Sequence, residues 1–366
     1  MLNDLQVIEL EPHKGCNLKC KMCHTTYLNE PDVFLDFDRI SDFSFFEGKT
    51  VRLGAVFEAM IHPQINKIIT ILNEHHCKLQ ITTNATNLNF KKIPALRDSD
   101  IMSIHISFDG ISKETYESIR VGAKYEKVLE NIREIKNAFR DKGTLFVINY
   151  TVFACNVDEI KDAPQFWEQF GIEHIGFIPM VIRNEDEFLE KNSVWYVKDK
   201  FEENVFKAAQ AIIDKDLYIS IGSHFLKTKK AVDMWGDLIR KKVSNVPRME
   251  KVHIFEFSRL RRYEDNQIVF PCGVPFVTLR ITWEGNVNLC HNKVIGNLYK
   301  NTFDEILNSE AAEKLRNSFY GDDSICHKCD FFKFCVNGGR IDIDDINSYY
   351  SADMLEKIAS RGLKKA

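Results

Sequence analysis

Six segments rich in β-branched and other apolar residues recur along the first half of the chain, and stretches with helical periodicity separate them. The predicted strands cover residues 5–12, 50–57, 78–84, 100–110, 144–153 and 174–182. The clearest helical pattern is formed by Val128, Leu129, Ile132, Ile135 and Phe139, whose spacing puts them on one face. The alternation predicts parallel strands joined by right-handed crossovers, hence an α/β barrel, a partial barrel or an open doubly wound sheet.

Composition narrows the class of protein. At 366 residues, of which 44% are hydrophobic, the chain can bury a substantial core, and its net charge of −4 gives no reason to expect a nucleic-acid partner. No apolar run approaches the roughly 20 residues that span a bilayer, and the first residues lack the layout of a signal peptide. We therefore expect a cytoplasmic protein with no membrane partner. In that compartment its ten cysteines are expected to serve metal or redox chemistry rather than disulfides.

Three cysteines, Cys16, Cys20 and Cys23, directly follow the first predicted strand. A structural zinc site needs a fourth ligand, for which His13 or His24 is available, whereas a redox pair uses two thiols and leaves Cys16 unexplained. Three thiolates suit a four-iron cluster whose fourth iron is open to an external ligand. Because the carboxyl ends of parallel strands carry the site in α/β barrels and open sheets, the position of this loop favours a functional role.

The run CNLKCKMC, with Met22 before its last cysteine, resembles the C-x3-C-x-Φ-C signature of the radical S-adenosylmethionine (SAM) enzymes. The resemblance implies a [4Fe–4S] cluster on Cys16, Cys20 and Cys23, with SAM bound to the open iron. One electron passed to SAM yields methionine and a 5′-deoxyadenosyl radical, which takes a hydrogen atom from a substrate C–H bond. A protein such as flavodoxin or ferredoxin is the implied electron donor.

Two later segments resemble parts of this family that contact SAM. In GAVFEAMIHP, Glu58 matches the Glu of a Gly-Gly-Glu-Pro stretch that accepts from the methionyl amino group, although Phe57 and Ala59 replace Gly and Pro. In TTNAT, Thr83 and Asn84 match a Thr-Asn-Gly turn. The alternatives are a solvated strand-end carboxylate for Glu58 and a turn cap for the second pair.

The segment 106–132 resembles the region around the fourth strand of the family, with its Ser-x-Asp-Gly motif and a downstream arginine. The resemblance implies that Ser107 and Arg120 bind the carboxylate and ribose side of SAM, since the planar fork of arginine suits a carboxylate. The alternative is a helix N-cap at Asp109 or Ser112 and a surface arginine.

Five cysteines follow residue 270, namely Cys272, Cys290, Cys326, Cys329 and Cys335. Their spacing resembles the SPASM or twitch extension that carries auxiliary iron–sulfur clusters in one branch of the family. Gly339 stands where the full pattern has a further cysteine. The resemblance therefore implies one auxiliary [4Fe–4S] cluster on Cys272, Cys290, Cys326 and Cys329, with Cys335 a substitute ligand or a nearby structural thiol. A zinc ribbon on the same thiolates is the alternative.

With this resemblance the expected fold is α/β, a partial (β/α)6 TIM-like barrel with a small C-terminal cysteine-rich iron–sulfur module. The expected domains are a radical SAM core over 1–222, an irregular connecting segment over 223–269, the SPASM/twitch-like auxiliary-cluster domain over 270–340 and a C-terminal tail over 341–366. Of the remaining cysteines, Cys77 is expected to be an ordinary small residue. Cys155, after the fifth predicted strand, is a candidate for returning a hydrogen atom to a substrate radical.

The substrate is inferred from family frequency. Relatives with this extension mostly crosslink, epimerise, oxidise or excise parts of ribosomally made peptides, so we expect peptide modification. The alternatives are a twitch-type dehydrogenase acting on an alcohol of an aminocyclitol or sugar and, from another class, a non-catalytic metal-binding module. Because fifteen residues precede Cys16, a leader peptide is expected to be held by a separate leader-binding protein or by residues 183–262. Arg183, Glu185 and Asp186 are candidate substrate contacts.

Overall fold

The structure is a computed structural model that describes residues 5–27, 31–180, 187–223, 268–269, 278–290, 293–318 and 364–365. Several predictions lie outside these residues, namely those on Arg183, Glu185, Asp186, Cys272, Cys326, Cys329, Cys335 and most of 223–269 and 341–366. The backbone of Cys290 is described but its side chain is not.

The strands define the architecture of the described residues. In chain order they are β1 Val7–Leu10, β2 His13–Lys14, β3 Val33–Phe34, β4 Thr50–Leu53, β5 Lys78–Thr83, β6 Asp100–Ser107, β7 Leu145–Val152, β8 His174–Pro179, β9 Ser220–Ser223, β10 Ile268–Val269, β11 Thr278–Ile281, β12 Asn286–Cys290, β13 Lys293–Asn297 and β14 Lys364–Lys365. All six predicted strands are present, as β1 and β4 to β8.

The order of the strands identifies the type of sheet. From β1 through β4 to β9 the strands lie side by side in chain order, and each neighbouring pair is parallel. A doubly wound sheet reverses its order at a switch point, whereas a barrel does not. Because β9 and β13 end the sheet without pairing to each other, the described barrel is partial. The predicted fold class is therefore confirmed, with β9 as an additional parallel strand.

The helices lie between the strands and after the last of the main sheet. They are α1 Ile65–Glu74, α2 Lys113–Ile119, α3 Tyr125–Ala138, α4 Ala163–Glu168, α5 Glu187–Lys191, α6 Lys198–Asp214, α7 Phe303–Leu307 and α8 Glu310–Ser318. Val128, Leu129, Ile132, Ile135 and Phe139 are all buried, so the stripe predicted on α3 faces the core.

An aromatic cluster fixes the position of α2 beneath the site. The ring of Phe108, just after β6, stacks on Tyr116 of α2 at 3.8 Å and meets Trp167 of α4 edge-on at 4.8 Å between centroids. All three side chains are fully buried. Such contacts hold a helix in one position. The end of α2 is therefore fixed next to the loop after β1.

Three strands from the C-terminal part extend the same sheet beyond β1. β11 is parallel to β1, with Thr278 opposite Val7, and β12 and β13 follow as antiparallel strands. At the end of β1 the buried carboxylate of Glu11 accepts from Arg280 Nη2 at 3.3 Å. Burial raises the pKa of Glu11, and the Arg280 charge opposes that shift. A continuous sheet and a buried ion pair therefore join the described part of the predicted auxiliary-cluster domain to the barrel.

His62 makes the stability of the fold depend on pH. Its Nδ1 accepts from the Gln64 N–H at 3.0 Å and its Nε2 donates to the Leu35 carbonyl at 3.1 Å, which fixes a neutral ring. Burial lowers the pKa of His62 to about 4 from 6.5. Because the folded value lies below the unfolded one, we expect stability to fall as the pH drops from 6.5 towards 4, by up to about 3 kcal/mol. Urea unfolding across this range measures the loss, and equal slopes for the wild type and His62→Gln would contradict the assignment.

Candidate active site

The loop after β1 carries the three clustered cysteines at the carboxyl end of the parallel strands. Main-chain hydrogen bonds anchor this loop on two sides. The Lys19 N–H donates to the Val121 carbonyl, just beyond α2, at 2.9 Å, and the Glu58 N–H, beyond β4, donates to the Gly15 carbonyl at 3.2 Å. The position of the thiols is thus fixed by elements that are distant in sequence.

Each thiol of the loop has a polar side-chain partner. One partner follows β5, one ends α2 and one belongs to the loop itself. The pairs are Cys16 Sγ with Asn84 Nδ2 at 3.7 Å, Cys20 Sγ with Arg120 Nη1 at 3.8 Å and Cys23 Sγ with Thr25 Oγ1 at 2.9 Å. The predicted residues Asn84 and Arg120 are therefore brought to the sulfur atoms.

The environment of the thiols fits a cationic cluster. Burial raises the pKa of Cys16 to about 12, with a further contribution from the Glu58 carboxylate, and burial also raises the pKa of Cys20. Thiols in such surroundings lose their protons when a cation replaces them. Among the described residues, no three His, Cys, Asp or Glu side chains are placed to hold a single metal ion. Three thiols on one loop instead suit a cluster in which each cysteine binds a different iron.

Glu58 is buried between the ends of two strands, with 3% of its surface exposed. Its Oε1 accepts from Thr83 Oγ1 at 2.7 Å and from the Met60 N–H at 3.3 Å, and its Oε2 accepts from the Asn84 N–H at 2.6 Å. Burial raises the pKa of Glu58, while these hydrogen bonds oppose the shift. A carboxylate has about four acceptor positions, so these three donors leave room for one more. The alternative of a solvated carboxylate is wrong.

The TTNAT turn fixes the orientation of the side-chain amide of Asn84. Asn84 Oδ1 accepts from the Thr86 N–H at 2.9 Å and so caps the turn, while Nδ2 is the group that faces Cys16. Ala85 adopts φ +59°, where the resembling motif has glycine. The turn therefore keeps the left-handed backbone conformation with alanine in place of glycine, at a cost of about 1 kcal/mol.

Arg120 ends α2 and is 8% exposed. Its Nε donates to Asp109 Oδ2 at 2.7 Å. Burial alone would lower the pKa of Arg120, but the Asp109 charge raises it above its ordinary value, so the side chain stays charged. The alternative of a surface arginine is wrong, and Ser112 rather than Asp109 caps α2.

Two other predicted residues lie at strand ends. Ser107 is the last residue of β6, opposite Asn149 of β7, and is half-buried. Cys155 follows β7 and is exposed, and partial burial raises the pKa of its thiol. The structure places both on the carboxyl side of the sheet, and their roles stay predictions.

A small cleft, open to solvent, lies beside Cys16. Its lining residues are Lys14, Gly15, Cys16, Lys19, Thr25, Pro31, Asp32 and Phe57. A Cβ on Gly15 would come within 2.1 Å of Asp32 Oδ1 and 2.5 Å of Nε2 of the buried His13, so a larger residue would require these side chains to move. The Phe57 ring meets the Trp283 ring edge-on at 5.0 Å, which brings the turn between β11 and β12 to the edge of the cleft.

Sequence reasoning missed the roles of three supporting residues. Asp109 belongs to the Ser-x-Asp-Gly motif and Trp283 lies in the turn between β11 and β12, but the sequence pattern alone did not indicate their partners. His13, considered as a zinc ligand, is fully buried, and its Nδ1 donates to the Glu58 carbonyl at 3.2 Å. Its Nε2 lies 3.6 Å from Asp32 Oδ2 in the wall of the cleft. The ring therefore supports the backbone of the residue that carries the buried carboxylate.

Residues 10–166 match the family model of the radical SAM superfamily. This stretch of the chain is a radical SAM domain. A second model, an iron–sulfur cluster-binding domain named SPASM, matches residues 272–330. The predicted resemblance is confirmed for both parts of the chain.

Solved structures show the same fold. SuiB of Streptococcus suis, bound to SAM, is 16% identical, with a TM-score of 0.58 over 92% of this chain and 73% of that one. The enzyme anSMEcpe, also bound to SAM, is 15% identical, with a TM-score of 0.57 over 92% of this chain and 89% of that one. At such identities the likeness concerns the fold.

Curated relatives are distant as well. An AdoMet-dependent heme synthase of Methanosarcina barkeri is 24% identical over 47% of this chain and 49% of its own length. A tungsten-containing aldehyde ferredoxin oxidoreductase cofactor-modifying protein of Pyrococcus furiosus is 20% identical over 63% of this chain and 66% of its own length. The chain thus spans about half to two thirds of the relatives it matches.

The two family models confirm the expected cofactors: a [4Fe–4S] cluster, SAM and an auxiliary iron–sulfur cluster. The SPASM match contains Cys272, Cys290, Cys326 and Cys329 and ends before Cys335. Within the described residues, none of the helices combines the length and apolar character needed to cross a bilayer.

Proposed function

We propose that this radical SAM enzyme modifies a ribosomally synthesised peptide by removing a hydrogen atom from one of its C–H bonds. The observation that carries the proposal is the constellation after β1, β4 and β5. There the three thiols, the buried Glu58 carboxylate and the Asn84 amide meet at one end of a parallel sheet. When bound, the cluster and SAM supply one-electron cleavage of the sulfonium and a 5′-deoxyadenosyl radical.

The residues of the chain then have distinct roles. Cys16, Cys20 and Cys23 hold the cluster and leave one iron for SAM. Glu58 accepts from the amino group of SAM through its remaining acceptor position, and burial together with three protein donors keeps the carboxylate in one orientation. Asn84 holds the turn beside it. These contacts position SAM and exclude water from its reacting end.

The other side of SAM is assigned to the end of α2. Ser107 and Arg120 bind its carboxylate and ribose side in this proposal. Arg120 is held by Asp109 through Nε alone, and a guanidinium has five N–H donors. Donors beyond those that face Asp109 and Cys20 are thus available for a ligand.

The auxiliary cluster is assigned to Cys272, Cys290, Cys326 and Cys329. The SPASM match over residues 272–330 supports this set, because it contains these four cysteines and not Cys335. The Phe57–Trp283 contact and the Glu11–Arg280 ion pair tie this part of the chain to the cleft. The cluster would then accept an electron from the substrate radical or help to hold the substrate, and a flavodoxin or ferredoxin would reduce the enzyme.

The shape of the sheet favours an extended substrate. A closed barrel admits ligands at its mouth, whereas the described sheet has free edges at β9 and β13. SuiB bound to its precursor peptide SuiA and anSMEcpe bound to a peptide align with this chain at TM-scores of 0.56 each, over 92% of its residues. An alcohol dehydrogenase acting on an aminocyclitol or sugar is the second candidate, because the cysteines after residue 270 suffice for one four-iron auxiliary cluster.

The two substrate classes are separated by a coupling assay. The reconstituted enzyme, with SAM and dithionite, is mixed with synthetic peptides covering the short reading frames beside its gene or with an aminocyclitol mixture. We expect the peptides to raise 5′-deoxyadenosine formation above the uncoupled rate and to gain a modification visible by tandem mass spectrometry. Stimulation by the aminocyclitols alone, with oxidation of an alcohol, would replace peptide modification by the second candidate.

A further inference from the structure

A buried ion pair lies behind one of the three cluster cysteines. Asp109 is fully buried and Arg120 nearly so, and their carboxylate and guanidinium meet at 2.7 Å. The second carboxylate oxygen of Asp109 accepts from the Thr151 N–H at 2.7 Å, and its carbonyl accepts from Asn156 Nδ2 at 3.1 Å. Hydrogen bonds from β7 and from the loop after it hold Asp109 in place. Because Arg120 is bound to Asp109, its guanidinium is held in one position as well.

The other end of Arg120 reaches sulfur. Its Nη1 lies 3.8 Å from Cys20 Sγ, and Cys20 is 5% exposed. The partners of the other two thiols, Asn84 and Thr25, are neutral. Among these three side-chain contacts to sulfur, the one at Cys20 is therefore charged, and it is also the one shielded from water.

A fixed positive charge beside a cluster ligand changes the energy of reduction. Reduction adds one electron, supplied by the protein donor or by dithionite, and so adds one negative charge to the cluster and its thiolates. Coulomb interactions are strong where burial excludes water, and hydrogen bonds to cluster sulfurs raise the potential. Asp109 acts in the opposite direction from a greater distance, because Arg120 stands between it and Cys20.

We propose that Arg120, positioned by Asp109, raises the reduction potential of the N-terminal cluster through its contact with the Cys20 sulfur. This inference rests on the assignment of that cluster to the three loop cysteines and is independent of the substrate. A higher potential of the N-terminal cluster makes its reduction by the electron donor more favourable. Asp109 holds Arg120 in place, and its own negative charge opposes the effect of Arg120 from a greater distance.

The test is a redox titration followed by electron paramagnetic resonance of the reconstituted full chain. Arg120→Gln removes the positive charge and is expected to make the potential more negative, whereas Asp109→Asn removes the negative charge and is expected to make it more positive. Arg120→Lys keeps the positive charge, so its reduction potential is expected to lie nearer that of the wild type. The double variant removes both charges together, so its reduction potential is expected to lie between those of the two single variants. No shift in Arg120→Gln, or a shift to a more positive potential, would overturn the proposal.

The Cys16/Cys20/Cys23→Ala triple variant provides the control, because it retains only the auxiliary cluster. Its signal is subtracted from the others, and adding Arg120→Gln to it is expected to change no potential. If the triple variant kept the SAM-responsive signal, the cluster assignment itself would fail. If that signal is lost while Arg120→Gln weakens SAM binding without moving the potential, the assignment stands and the redox role of Arg120 is refuted.

Discussion

Replacing Cys16 by alanine is expected to abolish reductive cleavage of SAM and to lower bound iron from about eight to about four per chain. The loss follows because two thiolates cannot hold the cluster that binds SAM. Cys326→Ala is expected to lower the iron content as well but to leave SAM cleavage in place, since Cys326 belongs to the SPASM match. Anaerobic reconstitution with iron and sulfide, iron counting and chromatography of 5′-deoxyadenosine measure both effects.

Cys77→Ala is the matched control for this experiment. The thiol of Cys77 is buried and donates to the Phe46 carbonyl at 3.2 Å, so it packs as an ordinary small side chain. The variant is expected to keep the iron content and the SAM cleavage of the wild type. Tight zinc binding by the wild type, with no 5′-deoxyadenosine formed, would refute the cluster assignment.

The sequence predicted the strands whose signal is local. β1 and β4 to β8 are rich in β-branched and other apolar residues, a composition that predicts a strand without knowledge of its partner. β9 has the sequence SIGS, with Ile221 as its large apolar residue, and it forms because β8 offers a free edge. β11 pairs with β1 across most of the chain, with Thr278 opposite Val7. No local pattern specifies a partner at such separation.

The candidate site divides in the same way. The spacing of Cys16, Cys20 and Cys23 is visible in eight consecutive residues, and the family model confirms the superfamily that it indicated. The Asp109 partner of Arg120 stands close by in sequence, yet its burial depends on β7 and on the aromatic cluster under α2. Burial of a charged pair follows from tertiary packing, so the sequence left a helix cap and a surface arginine open as the alternative.

Phe57 shows why a departure from a motif needs a structure. Glycine would let the backbone approach SAM closely, and phenylalanine at this position first raises doubt about Glu58. In the structure the Phe57 ring turns towards Trp283, and the Glu58 carboxylate is still held by Thr83 and Asn84. The substitution therefore changes the wall of the cleft and its contact with the β11–β12 turn, while the carboxylate keeps its place.

Glu58→Gln is expected to weaken SAM binding by about 10–100-fold, because a hydrogen bond to a charged group contributes about 1.5–3 kcal/mol. Both carboxylate oxygens already face donors, Thr83 Oγ1 on one side and the Asn84 N–H on the other. The amide NH2 of glutamine must therefore point at a donor whichever way it turns. Titration calorimetry of the reconstituted enzyme with SAM measures the change in Kd.

Thr83→Val separates the charge of Glu58 from its support. That variant removes one donor to Oε1 and leaves the carboxylate with the Met60 and Asn84 N–H groups, so SAM binding should weaken by no more than about tenfold. Iron content should stay at the wild-type level in both variants, because the three cysteines are unchanged. A Kd for Glu58→Gln within twofold of the wild type would mean that the buried carboxylate only ties β4 to β5. An equal loss in both variants would mean that the turn after β5, rather than the charge, determines how SAM is held.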